Sequence, residues 1–287
     1  MKHFVLIDGF NLLSRAYFAT AYGKEPETLP KNHEGRYINA ARVFFAKLNQ
    51  LEEKLGATNM SVAWDGKRKD TLRNQEHAFY KAQRQDLPEP LIDQYHLASE
   101  ILGKLGIHQL QVDGYEADDI IGTFSTHFAG GRSYIYSNDR DLFQLLSENT
   151  DQLFMKKKQE HHFTEVNFRK EYGIAPAQWI EVKALLGDPS DNIPGCPGVG
   201  EKSALPLIKQ YGSIEELYKK LPDLDPLFKR YKKKLEDGEE SVKISKELVT
   251  IETNIEAVRS IDEEDTELPA EGGRSPEILA EYGLIKI

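Results

Sequence analysis

The chain has 287 residues and an ordinary globular composition, 39% hydrophobic and 29% charged, which allows one or two domains with a real core. No apolar run approaches membrane-spanning length, Phe4 to Ile7 is too short for a signal-peptide core, and the lone Cys196, set between Gly195 and Pro197, rules out an internal disulfide framework. A cytoplasmic protein is expected, and its formal charge of −10 opposes a nucleic-acid partner only until nine clustered carboxylates are set aside, which leaves −1.

In chain order, Phe4-Val-Leu-Ile7 is apolar without alternation, the pattern of a strand buried on both faces, and Asp8 stands at its carboxyl end. Helical periodicity follows at Asn11 to Ala21 and at Tyr37 to Leu55. Met60 to Trp64 reads as a second strand ending at Asp65, Ile107 to Val112 as a third, and Ser133 to Tyr136 as a fourth just before Asp139. This alternation predicts an α/β fold: a central, mostly parallel sheet flanked by helices, with ligands beyond the carboxyl ends of the strands. Between Gly66 and Leu91 the periodicity fails, charge is dense, and Pro88 and Pro90 close the segment. An insertion over about 66–95 is expected to serve function. Beyond 164 strand signals nearly vanish, and helices are predicted at about 164–171, 176–186, 201–210, 213–220, 226–236 and 239–250. The resulting division is an α/β core over 1–163, a helical region over 164–250, and a loosely packed tail over 251–287 that is acidic from Thr253 to Glu271.

The nine carboxylates are Asp8, Asp65, Glu116, Asp118, Asp119, Asp139, Asp141, Asp188 and Asp191, most of them at the end of a strand or the start of a helix. Gathered at one mouth they would repel strongly, and divalent cations are the remedy. Oxygen ligands without a His or Cys cluster favour Mg²⁺ or Mn²⁺ over zinc. Taken singly, each cluster has an ordinary explanation. Glu116, Asp118 and Asp119 suit the first turn of a helix, Asp139 and Asp141 suit an Asx-turn with a cap, and Asp188 and Asp191 suit a turn after a helix. Their coincidence on one chain carries the inference.

Gly195-Cys-Pro-Gly198-Val-Gly200-Glu-Lys202 is a glycine-spaced turn entering a helix, the sequence form of a helix-hairpin-helix that grips a DNA backbone without reading bases. The Walker spacing is absent. Arg73, Tyr80, Lys81 and Arg84 give the insertion a basic and aromatic mixture suited to a single strand. The run Lys229 to Lys234, and His161 and His162 beside Lys156 to Lys158, read as solvated helix faces.

In these residues the chain resembles the 5′ nuclease family, which includes the 5′-3′ exonuclease domain of bacterial DNA polymerase I and the flap endonucleases of phages and cells. The matching stretches are Val5 to Gly9 with Arg15-Ala-Tyr17, Trp64-Asp65-Gly66, Tyr80 to Arg84, Gly114 to Asp119, Asp139-Arg-Asp141 and Gly187 to Lys202, in family order over about residues 4 to 250. Trp64, Asn138, Cys196 and Pro206 depart from the usual residues, and none of them is a metal ligand in the resemblance. The resemblance implies a free-standing member that hydrolyses DNA phosphodiesters with two metal ions, as a 5′-3′ exonuclease and flap endonuclease in primer removal or repair.

It implies further that Asp8, Asp65, Glu116, Asp118 and Asp139 hold or surround one Mg²⁺ or Mn²⁺, that Asp141, Asp188 and Asp191 serve a second, and that Asp119 and Asp139 lie near both. Lys81, Arg73 and Arg84 correspond to catalytic arch residues, and Arg15, Lys183, Gly198, Gly200 and Lys202 to DNA contacts, while Tyr80, in the stretch that matches beside Lys81, is expected to bind DNA by stacking as its aromatic ring suggests. The hairpin would hold K⁺. The expected partner is DNA with a 5′ flap, nick or free 5′ end, or an RNA-DNA hybrid, bound by a monomer away from membranes. A catalytically inactive DNA-binding protein and a Mg²⁺-dependent phosphatase each account for part of the pattern, the second without the hairpin or the basic insertion.

Overall fold

Val5 and Ile7 point into one apolar core and Phe4 and Leu6 into another, so the first strand is covered on both faces as its sequence requires. The computed structural model describes residues 2–128, 130–270 and 275–285. The α/β part runs β1 (His3–Asp8), α1 (Gly9–Ala21), α2 (Asn39–Leu55), β2 (Asn59–Ala63), α3 (Leu72–Glu76), α4 (Glu89–Leu105), β3 (His108–Leu110), α5 (Ala117–His127), β4 (Arg132–Tyr136), β5 (Thr150–Lys156) and β6 (Gln159–Phe163). The sheet order is β3-β2-β1-β4-β5-β6, with β6 antiparallel to β5 and every other pair parallel. The carboxyl ends of β1, β2 and β4 therefore open on one side, the mouth where Asp8, Asp65 and Asp139 emerge.

The hairpin of β5 and β6 escaped the sequence reading because its strands carry buried polar residues. Asp151 is fully buried, yet its Oδ2 accepts from Arg132 Nη2 at 2.6 Å and lies 2.8 Å from His162 Nε2. His161 and His162 thus lie on β6 rather than on a solvated helix face, and the His161 ring stacks on Phe154.

The helical part comprises α6 (Glu165–Tyr172), α7 (Trp179–Leu186), α8 (Glu201–Tyr211), α9 (Ile214–Lys219) and α10 (Lys232–Val249). Its own core gathers Phe143, Phe168, Tyr172, Trp179, Leu207, Leu217 and Leu235. Residues 226–231 form a tight 3-10 turn, and α10 then runs unbroken where two helices were expected. Pro206 is accommodated inside a continuous α8. No helix among the described residues is long and apolar enough to cross a membrane.

The tail is not loosely packed. Ile251, Ile255 and Val258 are buried against Ile120, Ile121 and Phe124 of α5, where a short α11 (Glu256–Arg259) lies. Further on, α12 (Pro276–Glu281) inserts Leu279, with Tyr282 and Leu284, into the core that α2 and α4 share. The acidic reading hid these anchors because they are few and widely spaced; residues 271–274, at the end of the acidic stretch, and 286–287 lie outside the described residues. Leu279 is 2% exposed, so Leu279→Ala is expected to lower unfolding free energy by about 2–4 kcal/mol. Urea melts measure this, and an unchanged midpoint would detach the tail from the folded unit.

Candidate metal centre

At the end of β1, Asp8 caps α1: its Oδ1 accepts from Asn11 N–H at 3.0 Å, and its Oδ2 accepts from Ser137 Oγ at 2.8 Å. Burial, and next the charge of Asp65, push the Asp8 carboxyl up to about 7. Asp65, just beyond β2, accepts from Ala117 N–H at 3.0 Å and so ties that strand to the start of α5; burial raises its pKa as well. Past β4, Ser137 Oγ accepts from Asp139 N–H at 3.1 Å, and Asp139 Oδ1 accepts from Asp141 N–H at 2.8 Å. Asp141 is partly buried beside Asp139, and desolvation and then the Asp139 charge push its carboxyl up to about 7 as well.

Asn138, noted in the sequence only as a departure, and Gln152 and Gln144, which sequence reading did not single out, hold this loop. Asn138 bonds both backbone groups of Met155, at 2.6 and 3.0 Å. A glycine there would remove both bonds to β5. Gln152, fully buried on β5, donates to the carbonyls of Ser137 and Asp139. Gln144 donates to Asp141 O and Val249 O and accepts from Ile251 N–H. A buried glutamine in a strand, an asparagine in a loop and a glutamine in the 3-10 turn Asp141–Leu145 are detectable only once their partners are placed.

The second acid loop is shaped by two glycines set back to back. Gly187 and Gly195 have φ of +67° and +62°, and a Cβ on either would come within 2.7 Å of the other's amide nitrogen. Between them Asp188 and Ile193 exchange backbone hydrogen bonds of 2.9 and 2.8 Å, projecting Asp188 and Asp191 towards the mouth. Lys183 of α7, expected at the DNA backbone, lies 2.9 Å from Asp141 Oδ1 and 3.2 Å from Asp188 Oδ2. It acts as a counter-ion. Although burial opposes it, Ser190 and Lys183 hold Asp188 below its ordinary range.

The insertion lies on these acids. It is helical only over Arg68–Asp70 and α3, and it continues in turns as far as α4. Arg73 grips Asp119 through two hydrogen bonds of 2.6 Å, reaches Glu116 Oε2 at 3.2 Å and donates to Thr250 O at 2.8 Å. Asp119 is 1% exposed and also accepts from the backbone N–H of Glu116 and of Glu252. Lys81 Nζ lies 2.5 Å from Glu116 Oε1, and Arg84 pairs with Asp191. Against the cost of burial, Lys81 and Arg73 hold Glu116 below its usual range. Tyr80, expected to stack on a base, is 3% exposed and donates its hydroxyl to Glu116 Oε2 at 2.8 Å. Its ring is core.

Lys81 adopts φ of +53° while its N–H donates to Asp191 O at 2.9 Å. A non-glycine residue in that region costs about 1–2 kcal/mol, so the dock between the insertion and the second acid loop outweighs that strain. Arg15, Gly198, Gly200 and Lys202 are solvent-exposed.

The acids therefore divide. Glu116, Asp119 and Asp191 are engaged by Arg73, Lys81 and Arg84, Asp141 and Asp188 share Lys183, and Asp118 stands 4.0 Å from Arg73, whereas no ion pair among the described residues reaches Asp8, Asp65 or Asp139. Asp118 sits at the α5 start with its pKa well above the ordinary range through burial and then Asp119. Among the described residues, no three acid, His or Cys side chains already form an ion cage. Buried carboxyls held near 7 in an all-oxygen donor set nevertheless fit divalent oxygen-seeking ions.

Because Asp8 and Asp141 ionise near 7 when folded and near 3.8 when unfolded, the folded chain holds more protons between those values. Stability contributed by these groups is full below about 4 and is lost as pH rises towards 7. In chelator, urea melts at pH 5, 6 and 7 should show decreasing unfolding free energy, and added Mg²⁺ should restore most at pH 7 and above. A rise across that window in chelator would contradict the repulsion described here.

Two family models cover the chain: the 5′-3′ exonuclease N-terminal resolvase-like domain matches residues 3–173, and the 5′-3′ exonuclease C-terminal SAM fold matches 174–271. A 5′-3′ exonuclease of Halalkalibacterium halodurans is 60% identical over 259 residues, spanning 89% of this chain and 86% of that protein. DNA polymerase I of Bacillus subtilis is 37% identical over 257 residues, 88% of this chain but 28% of the polymerase. In fold, the chain is similar to a zinc-bound phage T5 5′-exonuclease, with a TM-score of 0.69 at 21% identity over 88% of this chain and 90% of that one. The chain belongs to the 5′-3′ exonuclease family.

Proposed function

We propose that the chain is a metal-dependent, structure-specific 5′ nuclease, hydrolysing DNA phosphodiesters at 5′ flaps and free 5′ ends in primer removal or repair. The observation that carries this reading is the convergence of acids from β1, β2, α5, the β4 loop and the Gly187–Gly195 loop on one mouth, with Lys81 and Arg84 laid across it. Relatives named as 5′-3′ exonucleases, and a phage T5 flap endonuclease solved in a pseudo-enzyme-product complex with DNA and metal ions, support the substrate class.

Asp8, Asp65, Asp118, Asp139, Asp141 and Asp188 are the acids best placed to hold two divalent ions, Mg²⁺ or Mn²⁺. Such ions would supply an activated water and offset the charge on the attacking and leaving oxygens of an in-line displacement. Lys81 and Arg84 do the remaining electrostatic work. Lys81 is held by Glu116 and Arg84 by Asp191, which keeps both cations beside the mouth, where they would offset charge on the scissile phosphate. Arg73 stays with Asp119 and is a positioning residue. Arg15 and the hairpin at Gly198, Gly200 and Lys202 would track the DNA backbone.

A labelled 5′-flap duplex, with and without Mg²⁺, tests the reading. Cleavage that needs the ion is expected, with loss of cleavage but retention of Ca²⁺-supported binding in Asp139→Asn. Binding without any cleavage by the unaltered protein would favour an inactive binding protein, and hydrolysis of small phosphomonoesters without cut DNA would favour a phosphatase. Lys81→Ala should lower kcat by about 100-fold or more with little change in KM. A loss confined to KM would move Lys81 from catalysis to docking.

A further inference from the structure

The K⁺ implied at the hairpin meets a cation already in place. Lys234, in the first turn of α10, donates from Nζ to the carbonyl of Gly198 at 3.1 Å. Its stem lies over Gly198, whose φ is +81°, and a Cβ there would come within 2.8 Å of Nζ, 3.0 Å of Cε and 3.1 Å of Cδ. The start of α10 is held this close by two further contacts. Gly238 leaves room for Cys196, since a Cβ at 238 would stand 3.0 Å from Sγ, and the Cys196 thiol donates to Lys234 O at 3.3 Å. Nζ also lies 5.6 Å from the centroid of the Tyr231 ring, which carries the Arg230 guanidinium at 4.8 Å.

Lys234 therefore differs from its neighbours in the basic run. Lys232 donates to Pro222 O on the far connection, while Lys229 and Lys233 face solvent. An ion bound through the Gly198 carbonyl would face the ammonium at contact distance, and two cations on one oxygen repel. The residues present do not fit a separate K⁺. We infer that Lys234 is the hairpin's own tethered cation, spending one donor on Gly198 O and presenting its charge and remaining donors to a DNA phosphate at the hairpin. The proposal rests on the nuclease reading only for its partner, duplex DNA.

The test is the affinity of the full chain for a 5′-flap duplex by fluorescence anisotropy, in Ca²⁺, at one ionic strength set by K⁺, Na⁺ or tetramethylammonium chloride. Holding ionic strength constant keeps the release of counterions from DNA comparable. The unaltered protein should bind alike in all three salts. Lys234→Met keeps the apolar stem over Gly198 and removes the charge; thermal melts check that it folds. It should bind about three- to tenfold more weakly in tetramethylammonium and regain most of that loss in K⁺, which can then reach the vacated carbonyl.

Tighter binding of the unaltered protein in K⁺ than in tetramethylammonium would overturn the inference, because a free ion would then be needed. Equal weakening of Lys234→Met in every salt would also overturn it, leaving Lys234 as a simple phosphate contact. No weakening in any salt would make the contact idle. Failure of the unaltered protein to bind the duplex at all would instead sink the nuclease reading, and this inference with it.

Discussion

Arg73 and Asp119 meet through a two-pronged hydrogen bond in a buried setting, and the positions of three separate chain segments follow from it. The guanidinium belongs to the insertion, the carboxylate to the start of α5, and the neighbouring acceptor Thr250 O to the chain leaving α10. Asp119 completes the junction by accepting from Glu252 N–H, and Gln144 holds the carbonyl and amide on either side. A planar fork fits a carboxylate in one orientation, so this contact specifies geometry as well as charge. Breaking it would strand a buried carboxylate, which is costly.

The same economy of charge recurs around the molecule. Lys183 stands between Asp141 and Asp188, Lys81 and Arg84 face Glu116 and Asp191, and Lys234 stands on the Gly198 carbonyl. Apart from Lys183 and Asp188, which are five residues apart, each lysine or arginine comes from a different segment than the group it meets. The acid mouth is thereby partly neutralised by the protein's own cations, yet burial and neighbouring carboxylates still push the carboxyls of Asp8 and Asp141 up to about 7. A divalent cation would offset the repulsion that remains there.

Much of the architecture was legible because its cause is local. Phe4 to Ile7 announced a doubly buried strand, the alternation of strands and helices announced a parallel sheet, and Asp8, Asp65 and Asp139 fell at its mouth. The hairpin of β5 and β6 was not legible, since Asp151 and Gln152 are buried only by virtue of Arg132, His162 and the Ser137–Asp139 backbone. Tyr80 misled in the opposite sense. Basic and aromatic neighbours resemble a nucleic-acid surface, yet its hydroxyl found Glu116 and its ring found the helical core.

By itself the sequence determined the fold class, the family and the set of acids, because hydrophobic period, glycine spacing and the placing of Asp and Glu at element ends act within a few residues. Tertiary structure alone decided which acids are already paired. Arg73, Lys81, Arg84, Lys183 and Lys234 read alike as basic residues along the chain. Distance and burial then separate them into a structural fork, two cations poised over the mouth, a counter-ion inside it and a charge on the hairpin, since Coulomb energy depends on separation and solvent exclusion that no linear spacing records.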